Sequence, residues 1–154
     1  MYKLRIFSVL SVVVIAASCA TVPPSQQEDP VLEVLQFIET SQTENLVQHS
    51  GVPFLLDAEI VEAESDIAVF WHLLSERGYQ FPSPHVDGIT AVNEDSYLLF
   101  GDSMEVRVFF ERYVPDDAAV AEVTAGNNRY RFLFANRVDG RGSLPLVYGW
   151  KGPL

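Results

Sequence analysis

Ile67, Phe70, Trp71 and Leu74 stand at i, i+3, i+4 and i+7, the spacing of one helix face. Ser65 is a cap-type residue before them, Asp66 falls in the first turn where the helix dipole favours an anion, and Gly78 supplies a C-terminal stop. Val31, Leu32, Val34, Leu35 and Ile38 also recur at helical spacing. They follow Asp29-Pro30, an N-cap type residue before a proline at the first helical position. Thr40 to Thr43 breaks the pattern, and Glu44 to Gln48 predicts a second short helix ended by His49-Ser50-Gly51.

The pattern changes at Val52. Val52 to Leu56 is an apolar run bounded by Gly51 and Asp57, which predicts a short strand, and Glu59 to Glu62 predicts another beyond a turn at Asp57-Ala58. Tyr79 to Val92 reads as loop, with Pro82, Pro84 and Asp87-Gly88, ending in a strand near Ile89 to Val92. Ala118 to Thr124 and Arg129 to Asn136 flank Ala125-Gly126-Asn127-Asn128, a hairpin-turn composition, and Tyr130, Phe132 and Phe134 alternate with Arg129, Arg131 and Leu133. Asp139 to Gly142 predicts a second turn before a last strand, Leu144 to Trp150, whose Pro145 points to a start at a sheet edge.

Asp102 to Val114 fits both periods. As a helix, Asp102 and Glu105 resemble a capping box, and Val106, Phe109, Phe110, Tyr113 and Val114 share a face. As a strand, Val106, Val108 and Phe110 alternate with Glu105, Arg107 and Phe109. The cap signal favours the helix. Helices first, one helix between short strands, then a β-meander make an α+β pattern.

The N-terminus carries an address. Lys3 and Arg5 precede an almost continuously apolar stretch, Ile6 to Ala17, which is shorter than the roughly 20 residues a membrane span requires. The stretch ends in small residues before Cys19, written IAASC. This junction resembles the lipobox of bacterial lipoproteins. The resemblance implies that residues 1–18 are a signal peptide and that Cys19 is diacylated on its thiol, becomes the new N-terminus and carries a further acyl chain. Ala20 rather than aspartate after the cysteine resembles the signal for the outer membrane of a two-membrane cell envelope, facing the periplasm. Cys19 is the chain's one cysteine, so a disulfide framework is excluded. Two or more acyl chains would make a stable membrane anchor, each buried methylene contributing about 0.8 kcal/mol.

Residues 19–28 then read as a lipidated tether, with Thr21 to Glu28 (TVPPSQQE) holding two prolines and little to bury, and 29–154 as one domain. The chain has 154 residues, 48% of them hydrophobic, enough to close a core. Its net charge of −11 argues against nucleic acid as a partner, since phosphate binding relies on a basic footprint. The charge is uneven: between Arg5 and Arg77 there are acids but no lysine or arginine. A solvated acidic face is one reading, and a cationic partner is the sharper one.

VPFLLDAEIVEAESDIAVFWHLL, Val52 to Leu74, resembles the strand–turn–strand–helix signature of nuclear-transport-factor-2-like (cystatin-like cone) domains. The likeness implies N-terminal helices packed on a curved antiparallel, cone-like sheet, with the C-terminal hairpins completing it. That cone serves either as an enzyme pocket, as in ketosteroid isomerases and polyketide cyclases, or as a binding surface, and fold alone does not choose.

The candidate residues are few. Asp57 and Glu59 are the best acid pair, two positions apart and so on one strand face if the strand is continuous. His72 stands one residue past the apolar stripe, with Glu76 four residues on, a spacing that meets on a helix. His49 and His85 align with nothing. Glu59, Glu62, Glu64 and Asp66 are dense acids without metal-ligand spacing, so neither a metal nor a cofactor is expected. Phe54, Trp71, Phe132, Phe134 and Trp150 are core candidates that could line an apolar pocket. Three readings follow: a non-catalytic lipid-anchored envelope protein that binds a partner protein or small apolar ligand, a small isomerase or dehydratase using Asp57 and His72 in a cone pocket, and an assembly factor whose exposed sheet pairs with another subunit.

Overall fold

The computed structural model describes residues 24–135 and 144–153, with the side chains of 24–29 left out of the description. The signal peptide, Cys19 and the turn expected at Asp139 to Gly142 lie outside the described residues. The fold is α+β: helices packed on a six-stranded, curved, open sheet. In chain order the elements are α1 (Pro24–Glu39), α2 (Thr43–Gln48), β1 (Ser50–Leu56), β2 (Glu59–Val61), α3 (Glu64–Glu76), β3 (His85–Ala91), a 3-10 turn (Ser96–Leu99), α4 (Met104–Tyr113), β4 (Ala119–Ala125), β5 (Asn128–Ala135) and β6 (Leu146–Lys151).

The sheet order is β2-β1-β6-β5-β4-β3. Every neighbouring pair is antiparallel except β1 with β6, which run parallel. The sheet is therefore mixed, not antiparallel as expected. β6 sits between β1 and β5, not at an edge. Pro145 precedes the strand, where its missing N–H takes nothing from the ladder.

Period-two alternation divides the sheet's side chains between two layers. Tyr130, Phe132 and Phe134 of β5 join Phe54, Ala121, Val123 and Trp150 in a core closed by α1, α2 and α3. Leu133 and Ala135 point the other way, joining Leu55 and Val120 under Val106 and Phe109 of α4. Helices thus cover both faces of the sheet.

The ambiguous stretch is a helix, as the cap signal indicated, but the cap is Ser103 rather than Asp102. Its hydroxyl accepts from the Val106 backbone N–H at 3.2 Å. Glu105 follows in the first turn, and hydrogen bonds from its own backbone N–H and from Ser103 hold its carboxyl below the usual range. In α3, Ile67, Trp71 and Leu74 are buried and Phe70 half-buried, and Gly78 ends the helix at φ +60°, but the helix starts at Glu64 after Ala63, so Ser65 lies inside it and does not cap it.

α1 differs from expectation. It begins at Pro24, inside the stretch read as a tether, and Pro30 lies within the helix rather than at its first position. Pro24 supplies the same first-turn signal earlier in the chain, because a first-turn residue has no intrahelical acceptor for its N–H. No helix among the described residues is long and apolar enough to cross a membrane.

Candidate functional site

Asp57 and Glu59 do not share a strand face. Leu56 pairs with Glu59 across β1 and β2, leaving Asp57 and Ala58 as a two-residue turn with Asp57 at φ +53°. Aspartate is among the few residues that enter this left-handed region readily. The turn aims the Asp57 carboxylate at the end of the chain, where its Oδ1 accepts from the Gly152 backbone N–H at 3.3 Å. Glu59 is exposed on β2.

His72 is also committed elsewhere. It is exposed on α3, with Nε2 3.3 Å from Glu76 Oε1, the partner its spacing indicated. His49 Nδ1 donates to the Asn45 carbonyl at 2.8 Å, closing α2, and His85 opens β3 in an exposed position. The structure brings none of these groups together as an acid–base pair.

The five pocket candidates meet one another. Trp150 stacks on Trp71 and on Phe132, each at 5.7 Å between centroids and 18° between planes, and Phe132 stacks on Phe134 at 5.8 Å. Phe54 meets the Trp71 ring edge-on at 5.8 Å. All five are buried. They form the packed interior between sheet and helices.

A different group of residues converges where β6 ends. Gly152 lies so close to Tyr130 and Trp150 that a Cβ there would stand 2.4 Å from Tyr130 Cδ1 and 2.9 Å from Trp150 Nε1, so only glycine fits. The Tyr79 hydroxyl donates to the Pro153 carbonyl and lies 3.5 Å from the Tyr130 hydroxyl. Burial first, then the Tyr130 hydroxyl and the Asp57 carboxylate, push the Tyr79 phenol well above its ordinary pKa. Trp150 Nε1 is buried and has no hydrogen-bond partner among the described residues. Tyr79, Tyr130 and Gly152 were not candidates from the sequence. They stand 51 residues or more from at least one partner, and no local spacing links them.

Beside this cluster runs a half-open cleft of about 390 Å³, lined by Asp87, Glu122, Arg129, Arg131 and Lys151 and walled by Tyr130, Gly152 and Pro153. Arg131 is held by Glu122 at 2.8 Å and by the Leu99 carbonyl at 2.8 Å, and Lys151 Nζ donates to the Phe100 carbonyl at 2.6 Å. Asp87 accepts from the Thr124 hydroxyl at 2.6 Å. Arg129 is exposed at the rim, without an ion pair among the described residues.

Glu59, Glu62, Glu64 and Asp66 are all exposed along β2 and the start of α3. The outward stripe of α3 continues them with Val69, 56% exposed, and Leu73, 44% exposed. No group of three or more His, Cys, Asp or Glu side chains among the described residues converges to hold a metal ion. Comparison of the chain with protein-family models, with curated proteins and with solved structures finds no match.

Proposed function

We propose that the chain is a non-catalytic lipoprotein, anchored through acylated Cys19 to a bacterial envelope membrane, the outer membrane facing the periplasm, whose domain binds a partner protein or a small ligand. The carrying observation is the separation of Asp57 from His72. One carboxylate holds the end of the chain and the other group pairs with Glu76 on the surface, so the acid–base work of the isomerase reading has no assembled site. The exposed Val69 and Leu73 beside Asp66 and Glu76 suit a basic partner surface with apolar anchors.

The fold is read here as cone-like and related to nuclear-transport-factor-2-like domains. Supporting this are the strand–turn–strand–helix run β1-β2-α3, the parallel pairing of β1 with β6, and the adjacent placement of β3, β4, β5 and β6 in the sheet. The 3-10 turn and α4 are then an insertion between β3 and β4 that covers the opposite sheet face.

The test is complementation of a deletion strain by His72→Ala and by Asp57→Asn. Each variant keeps the wild-type circular dichroism and restores the wild-type phenotype. Loss of complementation by folded, normally localised His72→Ala and Asp57→Asn proteins alike would reject the non-catalytic reading, whereas loss in His72→Ala alone would place His72 in the partner surface beside Leu73 and Glu76.

A further inference from the structure

The sheet is open, and its two edges differ. β2 at one end has three residues, whereas β3 at the other has seven. The β3–β4 register carries a bulge between Val86 and Gly88, which leaves Gly88 to Ala91 as the regular part of the edge. The Val92 N–H donates to the Ala118 carbonyl at 2.9 Å, and this bond fixes the phase of the ladder. Thr90 and Gly88, two and four residues back, therefore exchange their backbone bonds with Val120 and Glu122. Ile89 and Ala91 turn both N–H and C=O away from β4, and no hydrogen bond reaches them from another element among the described residues. Gly88, Thr90 and Ala91 are exposed.

An edge of this kind is a template for another strand, and native proteins blunt such edges with lysine, proline or other charges. Gly88 to Val92 (GITAV) holds none of these. The acids of β2 and the start of α3, Glu59, Glu62, Glu64 and Asp66, gather at the opposite end of the sheet. Five strand spacings separate the two edges, about 24 Å along the sheet. That exceeds the screening length of about 8 Å at physiological ionic strength, so the acidic charge of the chain does not guard this edge.

We propose that the β3 edge pairs antiparallel with the β3 edge of a second copy of this chain, Thr90 facing Thr90 across a two-fold axis normal to the sheet. In this register Ile89 stands opposite the partner's Ala91, and the two pairs so formed exchange four backbone hydrogen bonds. The Thr90 side chains meet on one face, a favourable cross-strand pair. Farther out, Asp87 falls opposite the partner's Asn93 and His85 opposite the partner's Asp95, so no like charges face each other. An axis normal to the sheet keeps α1 of both copies on the same face, so both N-termini can enter one membrane. Anchoring in that membrane raises the effective concentration of the copies, which suits an interface of four bonds. The proposal rests on the partner-binding part of the function above and names the partner. Its readout needs neither the anchor nor His72, so the two can fail separately.

Cysteine cross-linking of the full chain in whole cells, with copper phenanthroline as oxidant, reads the register. Directly opposed residues of this type have Cα atoms about 4.5 Å apart, within the reach of a disulfide. Thr90→Cys therefore forms a disulfide-linked dimer. Gly88→Cys lies on the same edge and face, but its two copies stand about 14 Å apart, four residues of strand rise. Val69→Cys, on exposed α3, measures random collision. Thr90→Cys gives at least about tenfold more dimer than either, since neither control meets the disulfide geometry. Ala91→Pro removes an outward N–H without touching the β4 ladder, and added to Thr90→Cys it abolishes the dimer while circular dichroism is unchanged. If Ala91→Pro prevents folding, the comparison of Thr90→Cys with Gly88→Cys decides alone. Wild type stays monomeric because its Cys19 thiol is acylated. A wild-type dimer through Cys19 would reject the anchor, and the edge is then read in the Cys19→Ala background. Thr90→Cys dimer no more abundant than in the two controls, or undiminished by Ala91→Pro, overturns the proposal. Loss of complementation by folded Ala91→Pro without a Thr90→Cys dimer assigns the edge to a strand of a different protein and overturns it too.

Discussion

Trp71 and Trp150 stack 5.7 Å apart, yet their ring nitrogens have opposite fates. Trp71 Nε1 donates to Ser50 Oγ at 2.9 Å, and that hydroxyl donates in turn to the Leu46 carbonyl at 2.7 Å. One indole therefore ties α3 to the start of β1 and the end of α2, while the other ends in an unanswered donor beneath Gly152. The first arrangement serves stability, and the second marks a place where the packing has not satisfied a buried group.

Trp71→Ala removes the stacked ring and the donor to Ser50 together. A buried aromatic truncated to alanine costs about 3–5 kcal/mol, a large share of the roughly 5–15 kcal/mol that stabilises a domain. The urea midpoint falls steeply. An unchanged midpoint would contradict the burial of this ring.

How much of this was legible in the sequence depended on how local each cause is. The stripe of α3 and its glycine stop are set by neighbours within a few residues, and they stand where the spacing put them. α4 was legible through its cap, although Ser103, not Asp102, supplies the oxygen. The two-residue turn at Asp57 was readable, but its consequence was not. Once Asp57 occupies the turn it leaves the strand face it was expected to share with Glu59. The parallel pairing of β1 with β6 joins strands about 95 residues apart, as the Asp57–Gly152 bond shows, and nothing in either segment announces it. The same distance hid the convergence of Tyr79, Tyr130 and Gly152.

Ser103→Ala tests the cap of α4. Losing a side-chain cap costs about 0.5–2 kcal/mol, and the helix covers part of one sheet face through Val106 and Phe109. Thermal unfolding shows a lower midpoint in Ser103→Ala, and Ser103→Asp restores most of it, since aspartate caps as well as serine. Equal midpoints for all three proteins would mean that the Ser103–Val106 bond does not contribute.

Tyr79 sets an alkaline limit to stability. Its phenol is raised above the ordinary value of 10.0, so the unfolded chain releases this proton at lower pH than the folded one. Below about pH 10 the contribution is fully present, and it is lost as pH rises beyond that value. Absorbance titration of the phenols shows one tyrosine ionising late, together with unfolding. In Tyr79→Phe that late step disappears and the alkaline fall in stability flattens. A late step that persists in Tyr79→Phe would assign it to another tyrosine.

The proposed anchor at Cys19 is the central claim of the account, because acylation there would set where the domain works and which partners it meets. Cells expressing the wild-type chain or Cys19→Ala are grown with a labelled fatty acid and separated into membrane and soluble fractions. The account predicts that the wild-type protein carries label and sediments with the outer membrane, while Cys19→Ala carries none and appears in the soluble periplasmic fraction. An unlabelled wild-type protein, together with a Cys19→Ala variant that still sediments fully with the membrane, would contradict it.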